Sequence, residues 1–125
     1  MVCIAFALFA FVVVAITEGI KSNSFPYTPS PPSGPFFGVA GIHYCEFKCC
    51  TTDPDGDEIH YIWDFGDGCG FCTICFECGC KCCLNHRYTD NGWYFVRVMA
   101  MDNNYAYSEW SLPHIVYIFD NPSGV

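Results

Sequence analysis

Positive charge is what this chain has least of. Five Lys and Arg residues stand against thirteen Asp and Glu, a net charge of −8 over 125 residues. The five cations, Lys21, Lys48, Lys81, Arg87 and Arg97, are scattered. They cannot line a phosphate-tracking patch, so nucleic acid is excluded as a partner. Nucleophile and nucleotide motifs are missing as well: no G-x-S-x-G, no phosphate-binding loop and no dinucleotide fingerprint. The histidines His43, His60, His86 and His114 are spread over separate segments, and nothing marks Asp64 and Asp67 as a general acid and base pair. The chain therefore reads as a non-enzyme. No C-x-x-C-H occurs, which leaves covalent haem without support. No N-glycosylation acceptor is present either, because Asn121 is followed by Pro122.

What is present begins with an apolar run. Residues 1–16 carry no charge, and Glu18 is the first acid. As a helix, residues 1–20 would span about 30 Å at roughly 1.5 Å per residue, enough to cross a bilayer core. Three uses compete: a signal peptide, a retained anchor, and an assembly segment buried against copies of the same chain. The signal reading lacks a basic residue before the run and a clean small-x-small cleavage site. The assembly reading is preferred. It places Val2, Ile4, Phe6, Leu8, Phe9, Phe11, Val12, Val13 and Ile16 in the buried contact, since an exposed apolar segment of this length must be covered.

Pro26, Pro29, Pro31, Pro32 and Pro35 follow, interleaved with Ser and Thr. Such a run favours polyproline geometry, and residues 22–35 read as a semi-rigid spacer. The centre of the chain is Tyr61-Ile62-Trp63-Asp64-Phe65-Gly66-Asp67-Gly68. Ile59, Tyr61, Trp63 and Phe65 recur at period two, the pattern of a strand with one buried side. Gly66-Asp67-Gly68 then tolerates positive φ and stops the strand. Further strands are expected over 36–42, 43–51, 84–89, 93–101, 105–111 and 114–119. In the long strand the face carrying Tyr94, Val96, Val98 and Ala100 should be the more buried, because Arg97 interrupts the other. Asp90-Asn91-Gly92 is a hairpin signal.

These segments resemble the polycystic kidney disease (PKD) domain, an immunoglobulin-like β-sandwich of extracellular proteins. Trp63-Asp64-Phe65-Gly66-Asp67-Gly68 looks like its signature. Thr52-Asp53-Pro54-Asp55-Gly56-Asp57 resembles the turn before the signature strand. His86-x-Tyr88-x-x-x-Gly92-x-Tyr94-x-Val96-x-Val98 resembles its second hairpin. The similarity covers roughly residues 27–119. It implies a mainly β fold, an immunoglobulin-like sandwich. The apolar run ahead of it is read separately as a hydrophobic segment of helical, pilin-like character, although its only acid, Glu18, does not match the pilin pattern. The resemblance also implies that the hydroxyl of Tyr88 bonds back to the backbone, as a corner tyrosine does. The division expected is 1–21 apolar segment, 22–35 linker, 36–119 sandwich and 120–125 tail.

Two constellations could carry chemistry. Asp53, Asp55 and Asp57 form a D-x-D-x-D pattern suited to calcium, or to a plain Asx-stabilised turn. The chain holds eleven cysteines, seven of them between Cys69 and Cys83. Their spacing fits neither a ferredoxin run nor a zinc ribbon, so metal on that loop is disfavoured against disulfides within it or to Cys45, Cys49 or Cys50. Tyr105, Tyr107 and Trp110 read as core packing, with sugar stacking as the sharper alternative. The function expected is a structural subunit of an extracellular, cell-surface filament. Its partners are copies of itself, with a membrane during biogenesis or as anchor. The alternative is an anchored or secreted module binding a surface glycan or protein.

Overall fold

The computed structural model describes residues 22–75 and 81–123. The proposed assembly residues from Val2 to Ile16 lie outside them. Seven strands are present: β1 (Phe37–Val39), β2 (Cys45–Cys49), β3 (Ile59–Asp64), β4 (Gly70–Cys75), β5 (Cys82–His86), β6 (Gly92–Met101) and β7 (His114–Phe119). Five form one sheet in the order β1-β7-β6-β3-β4, and β2 pairs with β5 in a second sheet. All pairs are antiparallel except β1 with β7. No helix among the described residues is long and apolar enough to cross a membrane.

The core lies between the sheets. Ile59, Tyr61, Trp63 and Phe65 are all buried, as their period predicts, and so are Val96, Val98 and Ala100. Phe47 of β2 and Val116 and Ile118 of β7 complete it. The opposite face of β6 is open: Trp93 and Phe95 are 65% and 52% exposed. In β2 and β5 one side faces this core while Glu46, Asn85 and Cys83 face solvent.

Three sequence expectations change. The cysteine-rich stretch is not one loop. Its first part is β4, which pairs with β3 from Asp64↔Gly70 to Ile59↔Cys75, and its end is β5, which pairs with β2. The chain changes sheets between them. Cysteine packs as a small apolar residue, so the run fits a strand as readily as a reactive loop.

Second, 105–111 is not a strand. Ser108 N and Ser111 N donate to the carbonyls of Ala100 and Val98, both at 2.8 Å. The amides of Ala100 and Val98 donate in return to Ser108 Oγ (2.9 Å) and Ser111 Oγ (3.0 Å). Serine hydroxyls replace backbone carbonyls as acceptors, so the segment follows β6 without entering a regular ladder.

Third, residues 22–35 are laid along the domain as a strap. Ser33 and Lys48 exchange two 2.9 Å backbone bonds, and Tyr27 N donates to the carbonyl of Thr52 at 3.0 Å. Pro26, Pro29 and Pro32 are buried while their neighbours are not. That interval matches the three residues per turn of polyproline II, which turns one proline edge inward throughout. Gly34 is where the strap crosses Phe47; a Cβ there would sit 2.4 Å from the Phe47 ring.

Candidate functional site

The signature residues build the far end of the sandwich. Gly66, at φ +85°, lies against the backbone of Phe95, and a Cβ would come within 3.0 Å of Phe95 N and O. Asp64 Oδ1 accepts from Gly66 N at 3.0 Å, and Asp67 Oδ1 from Cys69 N at 3.1 Å. Both carboxylates thus hold the turn. Their second oxygens meet side chains of other strands: Arg97 Nε lies 3.0 Å from Asp64 Oδ2, and His86 Nε2 lies 2.7 Å from Asp67 Oδ2.

Beneath them runs an aromatic stack. Phe65 lies flat on His86 at 4.1 Å, Tyr88 meets His86 edge-on, and Tyr94 stacks on Tyr88 at 4.1 Å. The Tyr88 hydroxyl donates to the carbonyl of Phe65 at 2.9 Å, 23 residues upstream; the short-range bond of a corner tyrosine is made instead by Tyr94, whose hydroxyl donates to the carbonyl of Asp90 at 2.8 Å. Burial, reinforced by the charge of Asp67, pushes the Tyr88 phenol far above its ordinary range. Gly92 opens β6 at φ +138°. These contacts hold the turn, while Trp63 Nε1 is buried with no hydrogen-bond partner among the described residues.

The opposite end carries two clefts. The turn before β3 and the turn after β6 meet there, since β3 starts where β6 ends (His60↔Met101). Asp53 is 5% exposed. Its Oδ1 accepts from Asp55 N at 2.8 Å and Asp57 N at 3.4 Å, an Asx-type turn. Asp102 is fully buried. Its Oδ1 accepts from Asn104 N (2.8 Å) and Ala106 N (2.9 Å), while Oδ2 accepts from Asn23 Nδ2 (2.7 Å). Asn104 Nδ2 donates to Asn23 Oδ1 at 3.0 Å, and Ser24 N donates to Asp55 Oδ2 at 2.7 Å. The strap therefore ties both acidic turns together.

Beside it lies an open cleft of about 440 Å³, lined by Ser22, Asn23, Asp55, Asp57 and Asn104. Ligand atoms of Asp53, Asp55 and Asp57 lie within 4.8 Å of one another, an all-oxygen set of the type calcium takes. Asp53 Oδ1 and Asp55 Oδ2 accept amide hydrogens, so the turn also has a structural use for these carboxylates.

On the other side of the strap lies a second cleft of about 300 Å³, lined by Phe25, Pro26, Thr28, Tyr107, Ser108 and Glu109. Phe25 is 69% exposed, Tyr107 48% and Tyr105 76%. The core-packing expectation therefore fails for both tyrosines. The loop carries them outward because Tyr105 adopts φ +63°, a conformation rare for a bulky residue. Trp110 is half-buried instead, with the Arg97 guanidinium 4.3 Å from its ring centre. Phe25, Thr28 and Glu109 carried no signal in the sequence, because only the strap's course brings Phe25 and Thr28 beside a loop eighty residues later. The Cys69–Cys83 metal question meets only part of its residues here. Among those described, Cys49 faces Cys82 across β2 and β5. The Cys49 thiol is held in its protonated form by its hydrogen bond with Cys82 and by burial.

The packing of the two sheets around one core defines an immunoglobulin-like sandwich. The family model for the PKD domain matches residues 45–109, and the chain belongs to the PKD-domain family. Among solved structures, the PKD domain of an M14-like peptidase from Thermoplasmatales archaeon SCGC AB-540-F20 is 31% identical. It covers 78% of this chain and 98% of its own, with a TM-score of 0.70. A structure described as carbohydrate-binding modules from the β-sandwich superfamily is 21% identical over 80% of this chain and 36% of its own, TM-score 0.58. The PKD1 domain of Vibrio anguillarum Epp is 18% identical over 80% of this chain and the whole of its own, TM-score 0.47. No curated protein matches the chain. Family membership supports an extracellular binding or adhesion module.

Proposed function

We propose that this chain is a non-catalytic module displayed outside the cell that binds glycan in the cleft between Phe25 and Tyr107. The observation carrying the proposal is that two exposed aromatic rings flank Thr28, Ser108 and Glu109 in one cleft. Apolar ring faces stack on the C–H faces of sugars, while hydroxyls and a carboxylate bond to sugar hydroxyls. The likeness to a carbohydrate-binding module is a likeness of fold. The test is retention of the full chain on a panel of insoluble polysaccharides. Tyr107→Ala should abolish retention with little change in melting temperature, since the side chain is about half exposed. Retention unchanged in that variant would refute the site.

A second reading rests on a different observation, the charge-free run of residues 1–16. On this reading the chain is a pilus-like filament subunit. It polymerises by burying residues 1–20 against its own copies, with the sandwiches as the outer sheath. Imaging of particles from the full chain and from a chain lacking 1–21 tests it, and filaments must vanish with the deletion. Calcium at Asp53, Asp55 and Asp57 belongs to the same proposal as a stiffener of the strap-bound end.

A further inference from the structure

One surface of the domain is used by neither proposal. On the outer face of the five-stranded sheet, Phe37, Tyr117 and Trp93 stand in one row across β1, β7 and β6, in register Phe37↔Tyr117 and Trp93↔Tyr117. Trp93 packs against Tyr117 at 4.8 Å, Tyr117 against Phe119 at 4.8 Å, and Phe119 against Phe37 at 5.8 Å. Phe95 and Ile115 form the next row. Phe37 is 63% exposed, Trp93 65%, Phe95 52%, Ile115 44% and Phe119 48%. An antiparallel sheet that faces water normally alternates polar residues onto its outer side. Here none of the six side chains is charged.

We propose that this face pairs with the same face of a second copy of the chain, in a two-fold interface. Three observations select that occupant. First, charge. The protein carries −8, and seven of its thirteen acids lie at the two ends: Asp53, Asp55, Asp57 and Asp102 at one, Asp64, Asp67 and Asp90 at the other. The aromatic row starts at the second of these ends, but none of its side chains is charged, so a second copy meets no like charge on the face itself. A basic partner would be steered to the ends and would find no charge on the face.

Second, area. Five side chains about half exposed, at roughly 200 Å² each, offer on the order of 500 Å², at the top of the range for a lone monomer's largest apolar patch. Doubled in a two-fold pair and joined by its rim, that reaches the roughly 1,200 Å² at which specific interfaces begin. Third, the border is already satisfied. Arg97 closes the patch on the β3 side and is paired within the chain to Asp64 at 3.0 Å. Pairing therefore buries no unpartnered charge. A two-fold axis through the patch also makes it self-complementary, with the flat row of rings lying across its own copy.

The inference is independent of glycan binding and of polymerisation through residues 1–21. The experiment uses the full chain with p-benzoylphenylalanine in place of Trp93, irradiated and mapped by peptide mass spectrometry. The expected result is an inter-copy adduct joining position 93 to the segment of β1 or β7 that carries Phe37 or Tyr117. Adding Phe95→Glu should lose that adduct while the circular dichroism spectrum and melting temperature stay unchanged, since the residue points to solvent. Three results overturn the inference: adducts confined to residues 1–21, adducts only to a foreign molecule, or an inter-copy adduct that survives Phe95→Glu. Loss of filaments on deleting 1–21, or of polysaccharide retention in Tyr107→Ala, leaves the adduct in place.

Discussion

Replacing Tyr88 by Phe removes one oxygen from the core and tests how the signature turn is held. β3 ends at Asp64, so the carbonyl of Phe65 has no place in its ladder. It points inward and takes its hydrogen bond from the Tyr88 hydroxyl at 2.9 Å, with Tyr88 1% and Phe65 2% exposed. The substituted ring keeps its stacking on Tyr94 and its edge contact with His86. What is lost is the partner of a buried carbonyl, which costs about 1–3 kcal/mol. For a domain of about 100 residues, a central value near 1.5 kcal/mol lowers Tm by roughly 6–12 °C. Tyr94→Phe is the control. Its hydroxyl also bonds to a carbonyl, that of Asp90 at 2.8 Å, but in an exposed setting where water replaces it. That change should cost less than about 0.5 kcal/mol. Thermal melts and urea midpoints at unchanged m-value read both variants. If Tyr88→Phe and Tyr94→Phe melt together, the hydroxyl does not secure the turn and the reasoning fails.

Gly66→Ala should be worse than Gly68→Ala. Both sites have positive φ, but a Cβ at Gly66 meets the Phe95 backbone at 3.0 Å while one at Gly68 meets nothing within 4 Å. We expect a loss of at least about 2 kcal/mol for the first and about 1 kcal/mol for the second, read from urea midpoints. Alkali should destabilise the domain. The Cys49 thiol is raised by its Cys82 hydrogen bond and burial, and the Tyr88 phenol by burial and nearby charge. The folded state thus keeps protons that the unfolded chain releases. Their stabilisation is complete below the unfolded thiol value near 8.5 and declines as pH rises past it, then past the phenol value near 10. A urea midpoint that holds steady from neutral pH to well above that range would contradict this, and Cys49→Ser should lessen the earlier part of the decline, the rest coming from the Cys45 thiol that burial also raises. Calcium should raise Tm in proportion to its occupancy of the acidic turn, with Asp57→Asn abolishing the rise. Equal melting in calcium and in chelator would dispose of the site.

The parts of this fold that could be read beforehand are those where side-chain period and turn chemistry agree. Ile59 to Phe65 alternate over a forced glycine turn, and Tyr94 to Ala100 alternate beside an interrupted outer face, so both buried faces follow from local pattern. The parts that could not be read depend on distant partners. The strap looked like a spacer because prolines say how a segment is shaped and not what it rests on. Its docking needs Lys48, Thr52 and Asp102, none of them local. β4 was hidden because cysteines at every third position suggest ligands, whereas pairing to β3 requires only an apolar stretch beside an open edge. Residues 105–111 have strand composition, yet Ser108 and Ser111 take the ladder's acceptors onto their hydroxyls. The aromatic cleft was invisible for the same reason as the strap, since Phe25 reaches Tyr107 only once the strap is laid down.

The two proposed surfaces lie at opposite ends of one strand, and that makes them jointly testable. Tyr107 bridges to Met101 at the end of β6, while Trp93 sits at its start. Eight residues of strand separate them by about 26 Å at roughly 3.3 Å per residue. A ligand held by Phe25 and Tyr107 and a second copy held by Trp93 and Phe95 therefore do not compete for space. β6 runs between them as a single strand paired to β3 and β7. Tyr107→Ala must leave the inter-copy adduct at position 93 intact, and Phe95→Glu must leave polysaccharide retention intact. If either variant moves the other surface's readout, the two are one site or are coupled, and assigning them separate occupants is wrong.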